Sequence, residues 1–322
     1  MRRSILRRAA ALLLLAACHG AMAQAWPSRP IHLVTAFGAG SASDIVARMI
    51  AEDLRAAFGQ PVLVDNKPGA SGIIAAEAVA KSPPDGYTLF LTTNTVHSGN
   101  PHLFKKLPYD PIKDFTAIAR VCYFPFVLEV NGALPVKSVA ELASYARANP
   151  GKVSYGYGNS TGQVASAAFN SLMKLDAAAV PYKSSPQVLT DLIGGQISFT
   201  FGDLASSQAQ LKAGRIRALA VSTEQRSALA PELPTVAAAA GLKGFDLAAW
   251  VGVLAPAGLS EDIRARLSAQ IGAMLARKDV VDKFTAMGAE VAPADGAAFD
   301  AYMKQQLAVW GRKVQDAGIQ PE

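Results

Sequence analysis

A short run of small residues, Phe37-Gly-Ala-Gly-Ser-Ala-Ser-Asp44, constrains the fold of this chain most, because it joins a predicted strand to a predicted helix. The strand covers residues 31–37, and the helix covers residues 44–58, where apolar residues recur at helical spacing before Gly59. Small residues let backbone N–H groups face a ligand, and a helix N-terminus favours an anion. We therefore predict an anion-binding turn with Asp44 as the helix N-cap. The alternative is a tight connection that needs glycine for steric reasons.

The first third of the chain alternates between predicted strands and helices. Strands are predicted at 31–37, 61–66 and 87–93, with a second helix opening at Gly69-Ala-Ser-Gly72. This alternation is typical of a doubly wound parallel sheet, in which ligands bind at the carboxyl ends of the strands. The third strand ends at that edge with Thr93, Asn94 and Thr95. For these three residues, ligand contact and ordinary turn chemistry both remain open.

A second α/β set follows a loop over residues 99–114 that is rich in proline and aromatic residues. The turn Gly158-Asn-Ser-Thr-Gly162 again leads from a strand into a helix. Two α/β halves, each with a turn suited to an anion, predict two lobes that close on one ligand. The predicted strands lie at 126–130, 153–157, 197–201 and 216–222, and the predicted helices at 139–149, 164–175, 188–193, 260–276, 279–287 and 295–317.

The first 23 residues have the pattern of a secretory signal peptide, with four arginines, an apolar stretch over 9–17 and small residues before Gln24. Lipidation at Cys18 and export by a twin-arginine route remain open. Removal of this segment leaves 27 Lys and Arg against 25 Asp and Glu, a net charge near +2, which gives no case for nucleic-acid binding. The remaining Cys122 lies in an apolar stretch and is predicted to be a packed core thiol.

Few residues beyond position 23 suit catalysis or metal binding. The segment has three histidines and lacks His-x-x-x-His, Cys-x-x-Cys and Gly-x-Ser-x-Gly motifs. We predict no enzyme activity, no metal and no cofactor. His97 near the predicted strand edge could act as a base in an exported enzyme, but we favour a hydrogen-bonded loop histidine.

Many short stretches of this chain, in order over about 290 residues, resemble the Bug family, the periplasmic solute-binding receptors of tripartite tricarboxylate transporters. The matching stretches include Trp26-Pro-Ser-Arg-Pro-Ile31, Gly69-Ala-Ser-Gly72, Pro84-Asp-Gly-Tyr-Thr-Leu89, Leu107-Pro-Tyr-Asp-Pro111, Val180-Pro-Tyr-Lys183, Gly194-Gly-Gln196, Arg217-Ala-Leu-Ala-Val221 and Ala255-Pro-Ala-Gly258.

The resemblance implies an α/β, type II periplasmic-binding-protein fold: two doubly wound α/β lobes joined by hinge strands, with a ligand cleft between them. The expected first lobe comprises residues 24–125 and 230–322, and the second comprises residues 126–229. The implied ligand is a small organic acid, the implied partners are membrane permease subunits, and the expected state is a periplasmic monomer. A sensor that docks a membrane histidine kinase would share this fold, and the identity of the acid stays open.

The resemblance also implies which turns hold the ligand carboxylate, partly through ordered water. Carried onto this chain, the first turn comprises Gly38, Ala39, Gly40, Ser41, Ala42 and Ser43, with Asp44 behind it, and the second comprises Asn159, Ser160, Thr161 and Gly162. The second turn departs from the family pattern, since it is about two residues shorter and has Gln163 where members commonly have His.

Two charged residues are further candidates for the ligand site. Lys183 could meet a distal carboxylate or be a solvated lysine at a strand end. Asp203 follows a predicted strand and could bind an amine or hydroxyl, although capping of the next helix is slightly favoured. Members often have Asp-Asn where this chain has Gly202-Asp203, so the acid is displaced by one residue.

Overall fold

The computed structural model describes residues 26–321, in which ten strands form one connected sheet system covered by helices. The predicted signal peptide over residues 1–23 and its alternative lipidation site at Cys18 lie outside the described residues. Within the described range, no helix is both long enough and apolar enough to cross a lipid bilayer.

The strands are β1 (Ile31–Thr35), β2 (Val62–Asn66), β3 (Thr88–Thr93), β4 (Phe115–Asn131), β5 (Ser154–Tyr157), β6 (Ala178–Pro181), β7 (Phe199–Asp203), β8 (Ile216–Val221), β9 (Ala248–Pro256) and β10 (Glu290–Asp295). The helices are α1 (Ala42–Phe58), α2 (Ile73–Ala80), α3 (Asn100–Leu103), α4 (Val139–Ala148), α5 (Ser160–Leu172), α6 (Ser185–Ile193), α7 (Leu204–Lys212), α8 (Val236–Ala240), α9 (Glu261–Leu275), α10 (Lys278–Ala286) and α11 (Gly296–Asp316). A 3-10 turn (Ala70–Gly72) precedes α2, and a π-helical turn (Thr95–Gly99) precedes α3.

The first sheet is built around β1, which lies parallel to β2 and to β3. Thr35 at the end of β1 lies opposite Asn66 on one side and Leu91 on the other. The strand β9 runs antiparallel to β3 and continues the sheet toward β4. The predicted β-α-β-α-β unit is therefore confirmed, with its carboxyl ends at one edge.

The long strand β4 joins this sheet to the second one. Its first part pairs with β9 as far as Pro125 opposite Ala248, and from Phe126 opposite Asp203 it pairs with β7 and β8. In the second sheet, β5 runs parallel to β6 and β7. The result is the expected two-lobed α/β fold. We use "first lobe" for the sheet around β1 with its helices, and "second lobe" for β5–β8, the end of β4 and their helices.

The last predicted strand ends at residue 222, so β9 and β10 were not predicted, and neither was the start of β4. The nine residues of β9 are Ala-Ala-Trp-Val-Gly-Val-Leu-Ala-Pro, and eight of them are buried. A strand that is covered on both faces has a continuous apolar run without alternation, so its periodicity does not separate it from a buried helix.

Aromatic residues fill the core of both lobes. In the first lobe the ring of Trp250 meets that of Phe299 edge-on at 5.3 Å, and in the second Phe169 packs against Phe199 and Phe201. Cys122 is fully buried and free, and burial raises the pKa of its thiol. The prediction of a packed core thiol is confirmed. Burial of each large apolar side chain stabilises the folded state by about 1.5–3 kcal/mol. This packing holds the sheets in place and so positions the strand ends.

Candidate functional site at the strand ends between the lobes

The predicted first turn lies beside the end of β3, as the parallel pairing requires. Since Thr35 is level with Leu91, continuation of both strands by two residues brings Phe37 level with Thr93. Neighbouring strands are about 4.8 Å apart. The turn before α1 and the segment from Asn94 onward therefore occupy one edge of the first lobe.

The helix α1 begins two residues earlier than predicted, and its N-cap is Ser41 rather than Asp44. The Ser41 side chain accepts a hydrogen bond from the backbone N–H of Asp44. The prediction of Asp44 as the cap is wrong because a serine closer to the glycine turn already satisfies this N–H group. The helix geometry leaves the N–H groups of Ala42 and Ser43 without an intrahelical acceptor.

The buried carboxylate of Asp44 stabilises the first turn through hydrogen bonds. It accepts hydrogen bonds from Gly40 N (2.9 Å), Arg48 Nε (3.0 Å) and Asn66 Nδ2 (2.9 Å). Burial opposes ionisation of Asp44, but the bonds from Arg48, Gly40 and Asn66 outweigh it and lower its pKa. The Gly40 N–H group is thus already occupied, while Ala39 and Gly40 themselves are exposed and Ser43 is buried.

Asn66 was missed by the sequence analysis, although it also donates to the carbonyl oxygen of Phe37 at 3.0 Å. Asn66 is the last residue of β2, the strand beside β1. Asn66 could have been predicted from its position, because it has an amide side chain at the carboxyl end of a strand next to β1.

The second turn repeats the geometry of the first. The side chain of Asn159 caps α5 by accepting from the N–H of Gly162 at 2.9 Å. The helix was predicted from residue 164, but Asn159 nucleates it earlier, so Ser160, Thr161 and Gly162 form its first turn and are buried. The N–H groups of Ser160 and Thr161 are left without an intrahelical acceptor.

The structure brings the two lobes together at these residues. Asn94 Nδ2 donates to Thr161 Oγ1 at 2.7 Å, and Ser160 Oγ donates to Asn100 Oδ1 at 3.1 Å. A Cβ atom on Gly99 would lie 2.9 Å from the Cβ of Ser160, so the contact leaves no room for a side chain there. Asn94 is buried, and its Oδ1 atom has no hydrogen-bond partner among the described residues.

Asn100 is another residue of the contact between the lobes that was not predicted from the sequence. It is buried, accepts from Ser160, and donates to the carbonyl oxygen of Ser71 at 2.9 Å. The predicted loop over 99–114 contains α3 at this point, since Pro101 suits the first turn of a helix. The signal for Asn100 was its position shortly after the third strand.

The remaining candidates lie at or just after the carboxyl ends of β3, β6 and β7, and they differ in burial and in hydrogen bonding. Thr93 and Thr95 are buried, and the Thr93 hydroxyl accepts from the Thr95 N–H at 3.3 Å, which is turn chemistry. Lys183 is exposed, two residues past the end of β6. Asp203 is the N-cap of α7 and accepts from Ser206 N at 2.8 Å, as the favoured interpretation expected. Burial raises the pKa of Asp203.

His97 is a hydrogen-bonded histidine of the interior. It is fully buried, and its Nδ1–H donates to the carbonyl oxygen of Pro111 at 2.8 Å. Burial lowers its pKa to about 4, partly offset by that hydrogen bond. The interpretation of His97 as a hydrogen-bonded histidine is confirmed. Among residues 26–321, no group of three or more His, Cys, Asp or Glu side chains could hold a metal ion.

Comparison with known proteins agrees with this geometry. Residues 46–319 match the model of the "Tripartite tricarboxylate transporter family receptor" family. The chain is 35% identical over 318 residues to a UPF0065 protein of Bordetella bronchiseptica, covering 97% of this chain and 92% of that protein.

Two solved structures of similar proteins share this fold. R. palustris Rpa4515 with adipate is 37% identical with a TM-score of 0.89, over 92% of this chain and 100% of that one. MatC from Rhodopseudomonas palustris with bound malate is 30% identical with a TM-score of 0.82, over 90% of this chain and 100% of that one. The chain therefore belongs to the family of tripartite tricarboxylate transporter receptors.

Proposed function

We propose that this protein captures a small organic carboxylate between its two lobes and presents it to the membrane permease subunits of a tripartite tricarboxylate transporter. The observation that carries the proposal is the matched pair of helix N-termini. In each, a side-chain cap satisfies the third N–H group of the helix, so the first two, on Ala42 and Ser43 and on Ser160 and Thr161, are left as donors. Such donors bind a carboxylate without a full counter-charge.

The ligand class is supported by two relatives of known structure, one with adipate and one with malate. Both are small dicarboxylic acids. The mature protein is proposed to begin at Gln24, to act in the periplasm as a monomer, and to return its ligand chemically unchanged. The proposed site comprises the two turns with Asn94 and Asn100.

The proposed mechanism is closure of the second lobe on the first. A carboxylate bound at the turn before α1 attracts the N-terminus of α5, and the bonds from Asn94 to Thr161 and from Ser160 to Asn100 hold the closed arrangement. The ligand must bind the closed form more tightly than the open one, since equal affinity would shift nothing. The permease would then recognise the closed form.

We also propose where the chain crosses between the lobes. The first crossing, predicted at 125/126, is supported by the change of partner along β4 between Pro125 and Phe126. The return was predicted at 229/230, but α8 packs against α4 and β8 of the second lobe. We therefore place the return between α8 and β9.

A thermal-shift screen of the exported protein tests the function. The panel pairs small mono-, di- and tricarboxylic acids with their primary amides. A ligand at a hundred times its Kd stabilises the native state by about 2.7 kcal/mol, so an acid that binds raises the Tm and its amide does not. No shift with any acid, or equal shifts with an acid and its amide, would contradict the proposal.

A further inference from the structure

A small cavity in the second lobe has Asn159, a residue of the second turn of the proposed carboxylate site, in its wall. Its volume is about 20 Å³, enough for one water molecule or a group of that size. Its wall includes Asn159, the cap of α5, and the side chains of Ser185, Ser206 and Ser207. Ser206 is exposed, so one residue of the wall lies at the protein surface. The cavity and the carboxylate site thus share Asn159.

Glu129 forms the buried end of this cavity. Its side chain lies on β4 opposite Thr200, only 1% of the residue is exposed, and its Oε1 atom has no hydrogen-bond partner among the described residues. The other carboxyl oxygen fills the space beside Gly202, where a Cβ atom would lie 2.7 Å from it. Glycine at position 202 is therefore what allows the carboxyl to lie here.

The residues that line the cavity around Glu129 carry no positively charged side chain. Burial raises its pKa to about 8, a hydrogen bond with Ser207 lowers it, and the nearby Asp203 raises it further. The turn before α5 and the helices α6 and α7 contribute serine, asparagine and apolar side chains to the wall, and no lysine or arginine. A buried carboxylate without a partner is costly, so burial favours the neutral acid in the ligand-free protein. A cation bound in the cavity would remove that cost and favour the carboxylate.

The size and donor pattern of the cavity select the kind of cation. A primary ammonium is as small as a water molecule and has three N–H donors, which the Glu129 carboxylate and the serine oxygens can accept. A guanidinium or a trimethylammonium group exceeds the volume. We propose that this cavity is the amine subsite of the carboxylate site, where Glu129 is the counter-ion for the ammonium group of an amino-acid ligand. This inference rests on the proposed carboxylate function.

Calorimetric titration of the exported protein tests the inference. The probes are ω-amino acids of three to six carbons, with the monocarboxylates and dicarboxylates of the same chain lengths. We expect at least one amino acid to bind tenfold or more tightly than the acid that lacks the amine. Glu129→Gln, which keeps the shape and cannot ionise, should abolish that preference and change monocarboxylate affinity less than twofold.

Two further variants keep the test decisive. Gly202→Ala would push the Glu129 carboxyl group aside, since that end of the side chain can move, but it keeps the glutamate. This variant should reduce the preference for amino acids over acids that lack the amine. Glu224→Gln removes an exposed glutamate and should leave the preference unchanged. A preference that survives Glu129→Gln, or acids that bind without any gain from an amine, would overturn the amine subsite alone. Failure of every acid and amino acid to bind would contradict the carboxylate function as well.

Discussion

Asn94 of the first lobe and Thr161 of the second are joined by a buried hydrogen bond, with 2.7 Å between Nδ2 and Oγ1. Asn94 follows the carboxyl end of β3, and Thr161 is the second residue of α5. The bond connects the segment after β3, which lies beside the first turn, to the second turn, whose N–H groups are proposed to hold the ligand. It therefore reports directly on the closed arrangement of the lobes.

Thr161→Val should weaken ligand binding with little effect on the fold of either lobe. The variant keeps the shape but leaves the Asn94 amide unpaired in the closed form, at a cost of about 1–3 kcal/mol. This corresponds to an affinity lower by roughly 5- to 150-fold, since 1.4 kcal/mol is tenfold. Calorimetric titration with the best acid of the screen measures this loss of affinity.

The control for this variant is Thr190→Val, at an exposed helix position where the hydroxyl bonds to Pro186 O within α6. It should bind the acid like the wild type. If both threonine variants bound normally, the bond between Asn94 and Thr161 would have no part in closure.

Gly40→Val should weaken binding through the shape of the first turn. Gly40 has φ +80°, and valine in this region costs on the order of 1–2 kcal/mol, so the turn is expected to shift. Gly151→Val is a matched control, because Gly151 has φ +72° and open space around its Cα, and it precedes β5 and so lies at the opposite end of that strand from the second turn. Thermal unfolding should show similar losses for both, while titration shows weaker binding for Gly40→Val alone. Normal binding by Gly40→Val would refute the assignment of this turn.

Protonation of His97 should destabilise the protein in mild acid. Its pKa is lowered from 6.5 to about 4 by burial, so the unfolded chain binds more protons between these values. Stability is therefore fully present above pH 6.5 and falls as the pH drops toward 4. His97→Asn, which can still donate to Pro111 O, should show a smaller drop in Tm between pH 7 and pH 4.5. An equal drop in both proteins would show that His97 does not set this dependence.

Glu129 should give the opposite dependence at higher pH. Its pKa is raised from 4.5 to about 8 in the folded protein, mainly by burial, so the folded state holds an extra proton in this range. The stability that Glu129 contributes is present below pH 4.5 and is lost as the pH rises through 8. The Tm of Glu129→Gln relative to the wild type should therefore increase from pH 5 to pH 8. A constant difference across this range would contradict a buried neutral Glu129.

The regular parts of the fold could be predicted from sequence because their signals are local. Strand β1, helix α1 and Gly59 follow from apolar spacing and a left-handed glycine at φ +68°. The helix predicted over 139–149 is observed as α4, with Ser138 as its N-cap. The two turns were also visible as small polar residues between a strand and a helix.

The missed features depend on contacts between distant parts of the chain. The apolar run of β9 is a strand only because β3 and β4 lie on either side of it. Asn66 and Asn100 act through partners 22 and 60 residues away, Asp44 and Ser160. Glu129 lies in a predicted strand, but its burial depends on the space left by Gly202 on another strand. Spacing along the chain does not contain this information.

The most direct test of the carboxylate receptor is the ratio of two dissociation constants, measured by calorimetry at neutral pH for the best acid of the screen and for its primary amide. The paired N–H groups at the starts of α1 and α5 favour a negative charge, so we predict that the acid binds at least tenfold more tightly. Equal affinity for acid and amide would show that these helix N-termini do not hold a carboxylate and would contradict the proposed function.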